Sequence, residues 1–420
     1  GAGRKLRPMM HPVELVAAAL LGAKMAADVV LTSLNRREIA RHAGAVPPAY
    51  AGVMDAPTYA KAVDYSLAKN AFARREELYG AVVLAGLVFS GVLPWSLAAW
   101  TGLAGGATWS QALWLVLVVL GMAVPSLPFD WWGTFRLEAR FGFNKSTVRL
   151  WIVDKLKMAA LAAALGFLLL WLLLSLVARL GPWWWLWAFA VVMLFQLTML
   201  VLTPKLIMPL FNKLTPLPEG ALKAELLALA ERTGFRARAI DVMDGSKRSG
   251  HSNAFFTGFG RFRRIVLFDT LVAQLDSAEL AAVLAHEIGH YKRGHIPKML
   301  AVSAAFLALG LFAVDALMRA PWFLGGFGFA ADAGAAPALL LVALLGGLAT
   351  YWLSPLLNAL SRKHEYEADA FARAAVGGPA PLVGALHKLA EKNLTNLTPH
   401  PWFSTFHYSH PTLVERERAL

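Results

Sequence analysis

The run His286-Glu287-Ile288-Gly289-His290 places two imidazoles and a carboxylate within five residues. On a helix, residues four apart share a face at about 6 Å, so both rings can reach one zinc ion at roughly 2.0 to 2.1 Å. Glu287 follows the first histidine and is placed to take a proton from a metal-bound water. With 11 histidines in the chain, chance supplies about 0.01 such runs. The plain alternative is a polar surface helix with incidental histidines, and the apolar flanks Leu284, Ala285 and Ile288 argue against it. A hydrolytic zinc needs three protein ligands and one open position, so a third donor must come from elsewhere. His295 lies five residues beyond His290, about 140° round a continuing helix. The compact HExxHxxGxxH spacing would need a glycine and a histidine where this chain has Arg293 and Ile296. His295 is therefore read as solvated or as supporting a ligand. The segment Ser361-Arg362-Lys363-His364-Glu365-Tyr366-Glu367-Ala368-Asp369-Ala370 reads as a helix with Glu365 and Asp369 on one face. One of the two can bind metal while the other accepts the free N–H of a ligand histidine. Glu367 points away from both.

These groups need elements to hold them. The metal run lies on a helix expected from about 277 to 293, which Asp276 or Ser277 can cap, with Glu279 completing a capping-box-like arrangement. Upstream, Thr215-Pro216-Leu217-Pro218-Glu219-Gly220 reads as a loop leading to a helix near 221 to 233. Residues 239 to 243 and 264 to 268 read as short strands, with Gly258 and Gly260 breaking the chain between them.

The rest of the chain is not that of a soluble enzyme. Of 420 residues, 57% are apolar and 16% charged, against about 25% charge in ordinary globular chains. Apolar runs near 20 residues recur, each long enough to cross roughly 30 Å of hydrocarbon. Seven spans are expected, at about 12 to 34, 79 to 101, 112 to 132, 158 to 178, 183 to 203, 299 to 318 and 338 to 360. An odd number puts the termini on opposite sides. Assigned that way, 34 of the 40 Lys and Arg fall on one side and 5 on the other, and the one left over is Lys24, inside the first span. The positive-inside bias concerns short loops. Discounting the long segment 204 to 298 leaves 20 against 5, which makes the rich side cytoplasmic. The expected division is thus helices and loops in 1–203, a first protease part in 204–298, two helices in 299–360, and a second protease part in 361–420. The net charge of +13 lies in loops, which favours anionic membrane lipid over nucleic acid as a partner. Zero cysteines exclude disulfides, thiolate metal sites and a cysteine nucleophile. Lys24 and Asp28, four apart inside the first span, read as a structural ion pair facing the interior. The tryptophans at 131, 132, 183, 184, 185 and 187 fit interfacial belts, and the Gly/Ala-rich patch 324 to 337 reads as an outer loop. Gly1-Ala2-Gly3 reads as a processed end, and no cleavable secretory signal is evident.

With these blocks in hand the chain resembles the CAAX prenyl protease type I family of polytopic zinc metalloproteases. The resemblance runs from Tyr59 to Leu420. It rests on Tyr65-Ser66-Leu67-Ala68-Lys69, Phe141-Gly142-Phe143-Asn144-Lys145-Ser146-Thr147, Pro209-Leu210-Phe211-Asn212-Lys213 and His251-Ser252-Asn253-Ala254. The HEIGH run, Glu365 to Asp369, His407-Tyr408-Ser409-His410-Pro411 and Glu415-Arg416 complete it.

The resemblance implies a mainly α fold, with seven transmembrane helices round a chamber and a cytoplasmic-side zinc protease domain with a small sheet. It implies His286, His290 and Glu365 as ligands of one Zn2+, Glu287 as general base and Asp369 as support to a ligand. It also implies Asn253 and Ala254 on an edge strand that pairs with substrate backbone, and His410 and Arg416 near the zinc to steady the oxyanion or substrate. Strand addition and cationic or N–H donors to an oxyanion suit those roles. The implied substrate is a peptide or protein prenylated at a C-terminal CAAX. The Ala- and Leu-rich composition suggests a bacterial inner-membrane protein with its N-terminus outside, for which a non-prenylated, quality-control substrate is the alternative. A transporter or lipid-handling protein with a structural metal is a further alternative. It would close the site with a fourth ligand.

Overall fold

The computed structural model describes residues 11–235, 239–257 and 264–420. The N-terminal Gly1 to Gly3 and the breakers Gly258 and Gly260 lie outside the described residues. Among the described residues, five stretches are long and apolar enough to cross a membrane, six if a bent pair counts as one span. Their lipid-side faces carry exposed Leu15, Val82, Leu156, Leu168, Leu194 and Leu309. The chain is an integral, multi-pass membrane protein. The bent pair is Ala56–Phe89 and Val92–Ala104, which meet at 55°. Gly91, in the left-handed region at φ 79°, makes that corner, so the expected span 79 to 101 is a broken one. The apolar stretch Val148–Phe211 has 64 residues, which at 1.5 Å each would reach about 96 Å, three bilayer cores. It instead breaks after Leu180, where Gly181 has φ 55°. Helices Val148–Leu180 and Trp184–Leu202 then pack on each other and hold two of the expected spans.

Two expectations for this part need correction. Trp184 is fully buried and donates its indole N–H to Asp315 at 2.7 Å, so it belongs to the bundle interior and not to an interfacial belt. The patch 324 to 337 is a loop only at 327–334, between helices Pro321–Gly326 and Ala335–Thr350, and much of it is buried. Leu324, Phe327, Phe329 and Ala336 are buried, and a Cβ on Gly326 would collide with Val13 and His11 at the start of the first helix. Glycine is needed there because the Val13 and His11 side chains press against its backbone.

The Lys24–Asp28 pair forms at 2.5 Å, and Asp28 also accepts the Tyr351 hydroxyl at 2.6 Å. One buried carboxylate thereby ties the first helix to the entry of the helix Ser354–Val376.

Beside this bundle lies a four-stranded sheet ordered β1-β2-β4-β3, with β1 Leu214–Pro216, β2 Ala239–Met243, β3 Ala254–Thr257 and β4 Arg264–Phe268. β2 and β4 are parallel; β1 and β3 run antiparallel to their neighbours. β1 corrects the expectation of a loop from Thr215. Pro216 is tolerated because it closes an edge strand, where one missing N–H breaks no ladder on the outer side. The helix Ser277–Lys292 forms as expected, with Asp276 as N-cap and the reciprocal Glu279 bond in place. It packs along Ser354–Val376, the helix that leaves the last span. Gly289 permits that approach: a Cβ there would sit 3.0 Å from Ala368 Cα and 3.1 Å from its carbonyl oxygen. Leu226, Leu229, Ile240, Ile265, Leu267, Leu284 and Ile288 form the core between sheet and helices. Membrane loops dock directly onto this unit. Arg248 holds Asp154 with two bonds of 2.8 and 3.0 Å and Asn212 with a third of 2.8 Å, and Gly250 N–H donates to Phe143 at 2.9 Å.

Candidate metal centre

Helix periodicity puts His286 and His290 on one face, and Gly289 lets that face meet Glu365 on the neighbouring helix. His286 Nε2 and His290 Nε2 are 3.1 Å apart. Glu365 lies 3.4 Å from the first nitrogen through Oε2 and 3.3 Å from the second through Oε1. Tetrahedral ligation with bonds of 2.0 to 2.1 Å requires donor separations of about 3.3 Å, so this triangle has the dimensions of a metal site. Glu365 Oε2 is buried with no hydrogen-bond partner. A buried lone pair left unmatched is costly, and a cation at the centre of the triangle would satisfy it. Among the described residues this is the one group of three or more His, Asp or Glu that could hold a metal ion.

Each imidazole is held from behind. His286 Nδ1 is 2.8 Å from Asp369 Oδ1. Asp369 is itself gripped by Arg416 through Nε at 2.8 Å and Nη2 at 2.5 Å. Burial lowers the His286 pKa, but the hydrogen bonds to Asp369 and Glu365 outweigh it and the imidazole is pushed up to about 9. A metal binding there competes with a proton. His290 Nδ1 lies 2.9 Å from His295 Nδ1, whose Nε2 lies 3.0 Å from Glu367 Oε2. His295 is 3% exposed and stacks on His364 at 4.0 Å between ring centroids. Of the two readings the sequence left open for His295, the structure takes the second: it is buried and supports His290, with Glu367 as its own partner. The helix stops at Lys292, and Gly294 at φ 66° starts a new one, so the 140° reckoned for a continuing helix does not apply. The glycine before a histidine at the mouth of a span was the available signal.

Glu287 is half-buried beside this triangle, and its carboxylate makes no hydrogen bond to any described residue. Burial raises its pKa; His286 and His290 pull it down and Glu365 pushes it up, with a net rise. His410 Nε2 stands 3.5 Å from Glu365 Oε1 with its side chain 65% exposed. Burial and then Arg416 depress the His410 pKa against the pull of Glu365. Arg416 Nη1 is 4.0 Å from Glu365 Oε2. Asn253 immediately precedes the edge strand β3 and Ala254 opens it; Asn253 is exposed and its side-chain oxygen accepts the Ala254 N–H at 2.9 Å. The arrangement can bind one divalent ion with a coordination position left for water, next to a free carboxylate and an unpaired strand edge.

Two family models match in tandem. Residues 35–213 fit the CAAX prenyl protease N-terminal region with five membrane helices, and residues 216–420 fit peptidase family M48. CAAX prenyl protease 1 of Saccharomyces cerevisiae is 42% identical over 317 residues, 70% of this chain and 68% of the relative. The CAAX prenyl protease 1 homolog of Arabidopsis thaliana is 34% identical over 89% of this chain and 90% of the relative. Its Homo sapiens counterpart is 33% identical over 92% and 90%. The crystal structure of S. mikatae Ste24p superposes with a TM-score of 0.92 at 32% identity, covering 98% of this chain and 99% of that one.

Proposed function

The chain belongs to peptidase family M48, in its CAAX prenyl protease 1 group, and is a membrane metalloendopeptidase; from that premise we propose that its metal is zinc and its substrates are prenylated CAAX proteins, from which it removes the C-terminal tripeptide. The observation that carries this reading is the donor triangle of His286, His290 and Glu365 with separations of 3.1 to 3.4 Å. Two histidines and a carboxylate with a fourth position free are the donor set of hydrolytic zinc. A structural metal in a transporter would call for a fourth protein ligand, which the described cluster does not contain.

In this mechanism, segments 204–298 and 361–420 act as one protease unit on the cytoplasmic face, with the N-terminus outside. The basic short loops support that orientation, and an inner bacterial membrane suits the composition. A bound zinc would supply Lewis acidity to the attacking water and to the scissile carbonyl. Substrate backbone pairs with the free edge of β3 at Asn253 and Ala254, which holds the peptide extended. Glu287 takes the proton from the attacking water at its carboxylate oxygen and passes it to the leaving nitrogen. His410, exposed beside Glu365, donates an N–H to the oxygen that gains charge. Asp369 and Arg416 fix the His286 ring, and Arg416 Nη1 adds positive charge on the same side.

Cleavage of a farnesylated CAAX peptide by purified protein tests the proposal. Glu287→Gln should lower kcat roughly 10²- to 10⁴-fold while still binding about one zinc per chain. Cleavage at the parent rate would refute it. Equal rates on prenylated and unprenylated membrane peptides would instead identify a quality-control protease.

A further inference from the structure

A cavity of about 630 Å³, largely apolar but carrying several polar side chains, lies where the helix Ala56–Phe89 faces the approach to β3. Its walls include Asn35, Tyr65, Lys69, Asn70, His251 and Asn393. Asn393 Oδ1 receives His251 Nδ1 at 3.1 Å and the Ser252 N–H at 3.4 Å, and Asn35 Oδ1 receives the His400 N–H at 3.1 Å. Both carboxamide oxygens are therefore occupied, while their NH2 groups have no acceptor among the described residues. Asn70 is 9% exposed and makes no hydrogen bond to any described residue. The Lys69 ammonium lies 5.0 Å over the Tyr65 ring, and no carboxylate among the described residues is within ion-pair distance of it. Glu138, whose carboxyl senses the Lys69 charge, is held by the Tyr65 hydroxyl at 2.8 and 3.0 Å and faces His251 Nε2 at 3.3 Å. The wall thus offers one ammonium and three amide donors without a matching acceptor. A carboxylate, with two oxygens and about four lone-pair sites, is the group that complements it.

The position of the cavity says which carboxylate. A peptide paired antiparallel to β3 runs its C-terminus back past Asn253 toward His251, the cavity wall. Three extended residues span about 10 Å, so a tripeptide leaving group ends near this point. We propose that Lys69, with the amides of Asn70, Asn393 and Asn35, binds the C-terminal carboxylate of the substrate and so sets the length of the fragment removed. This rests on the endopeptidase reading above. It assigns the cavity a role in substrate recognition and gives the bound peptide a direction.

The test uses two prenylated peptides that differ only in a C-terminal carboxylate or carboxamide. The full-length protein should process the acid with kcat/KM roughly 10- to 100-fold above the amide, mostly through KM, as charge-assisted hydrogen bonds warrant. Lys69→Met should bring the acid peptide down to the level of the amide one. Equal rates for both peptides in the parent, or a ratio that survives Lys69→Met, would overturn the proposal. Equilibrium binding of the same peptides to Glu287→Gln separates this claim from the one beneath it. If the parent protein cuts neither peptide but the acid binds Glu287→Gln more tightly, and Lys69→Met abolishes that preference, the carboxylate site stands and the peptidase reading falls. Turnover without a preference in either rate or binding has the opposite meaning.

Discussion

At the scale of single residues, the two histidines proposed as ligands are supported differently. His286 leans directly on Asp369, a carboxylate already shared with Arg416, whereas His290 leans on a second imidazole that in turn reaches Glu367. If His290 uses Nε2 for the metal, its Nδ1–H donates to His295 Nδ1, and His295 Nε2–H donates to Glu367. Such partners fix ring orientation and tautomer, and their loss usually costs 10- to 100-fold in metal affinity. His295→Ala should therefore weaken zinc binding by about that factor in a chelator competition, and His295→Asn, which can retain an acceptor near the Nδ1 position, should recover part of it. Unchanged affinity in both would reduce His295 to packing. Asp369→Ala should be more severe. Besides losing metal, it leaves the Arg416 guanidinium, only 12% exposed, without its partner, and breaking such a pair from one side costs about 3 to 5 kcal/mol. The drop in Tm should exceed that of His295→Ala.

At the scale of elements, the centre depends on how closely two helices approach. The histidines belong to Ser277–Lys292 and the third donor to Ser354–Val376, and the backbone contact at Gly289 against Ala368 sets their distance. Gly289→Ala should push the helices apart by a few tenths of an ångström or more. Overpacking of this kind costs typically about 1 to 3 kcal/mol, and the donor triangle should open with it. Reduced Tm together with substoichiometric zinc is the expected result; a stable protein with full zinc would show that the contact yields elsewhere. The cap is a smaller lever. Asp276→Ala removes the acceptor of the Glu279 N–H at 2.9 Å and should cost about 1 kcal/mol with zinc stoichiometry intact. Glu279, also bonded to Lys388 at 2.6 Å, keeps the helix start anchored.

At the scale of the whole molecule, the protease unit is clasped by the membrane part. Arg248 lies just before the cavity-lining His251 and reaches Asp154 on the long apolar helix and Asn212 beyond the next one. Arg248→Met should lower Tm and loosen the orientation of β3 relative to the cavity, raising KM more than it lowers kcat. A pure stability loss with unchanged KM would place the clasp outside substrate handling. Much of this molecule was legible in its residues. The apolar runs, the capped helix, the HExxH run and the Glu365–Asp369 pair are all local or short-period patterns, and periodicity alone converts them into spans and faces. The residues alone offered Glu365 or Asp369 as the third donor, and only resemblance chose Glu365, because a pair of membrane spans separates both from the histidines along the chain. The errors share one physical origin. Pro216 in a strand, Trp184 in the interior and the buried packing round Gly326 each depend on which distant segment lies opposite. Local sequence sets what a segment can become, but burial and hydrogen-bond partnership belong to pairs of segments. Only the tertiary structure brings together the two helices, the strand edge and the cavity lined by Asn35, Asn70 and Asn393, from which the proposed metal position and peptide direction are read.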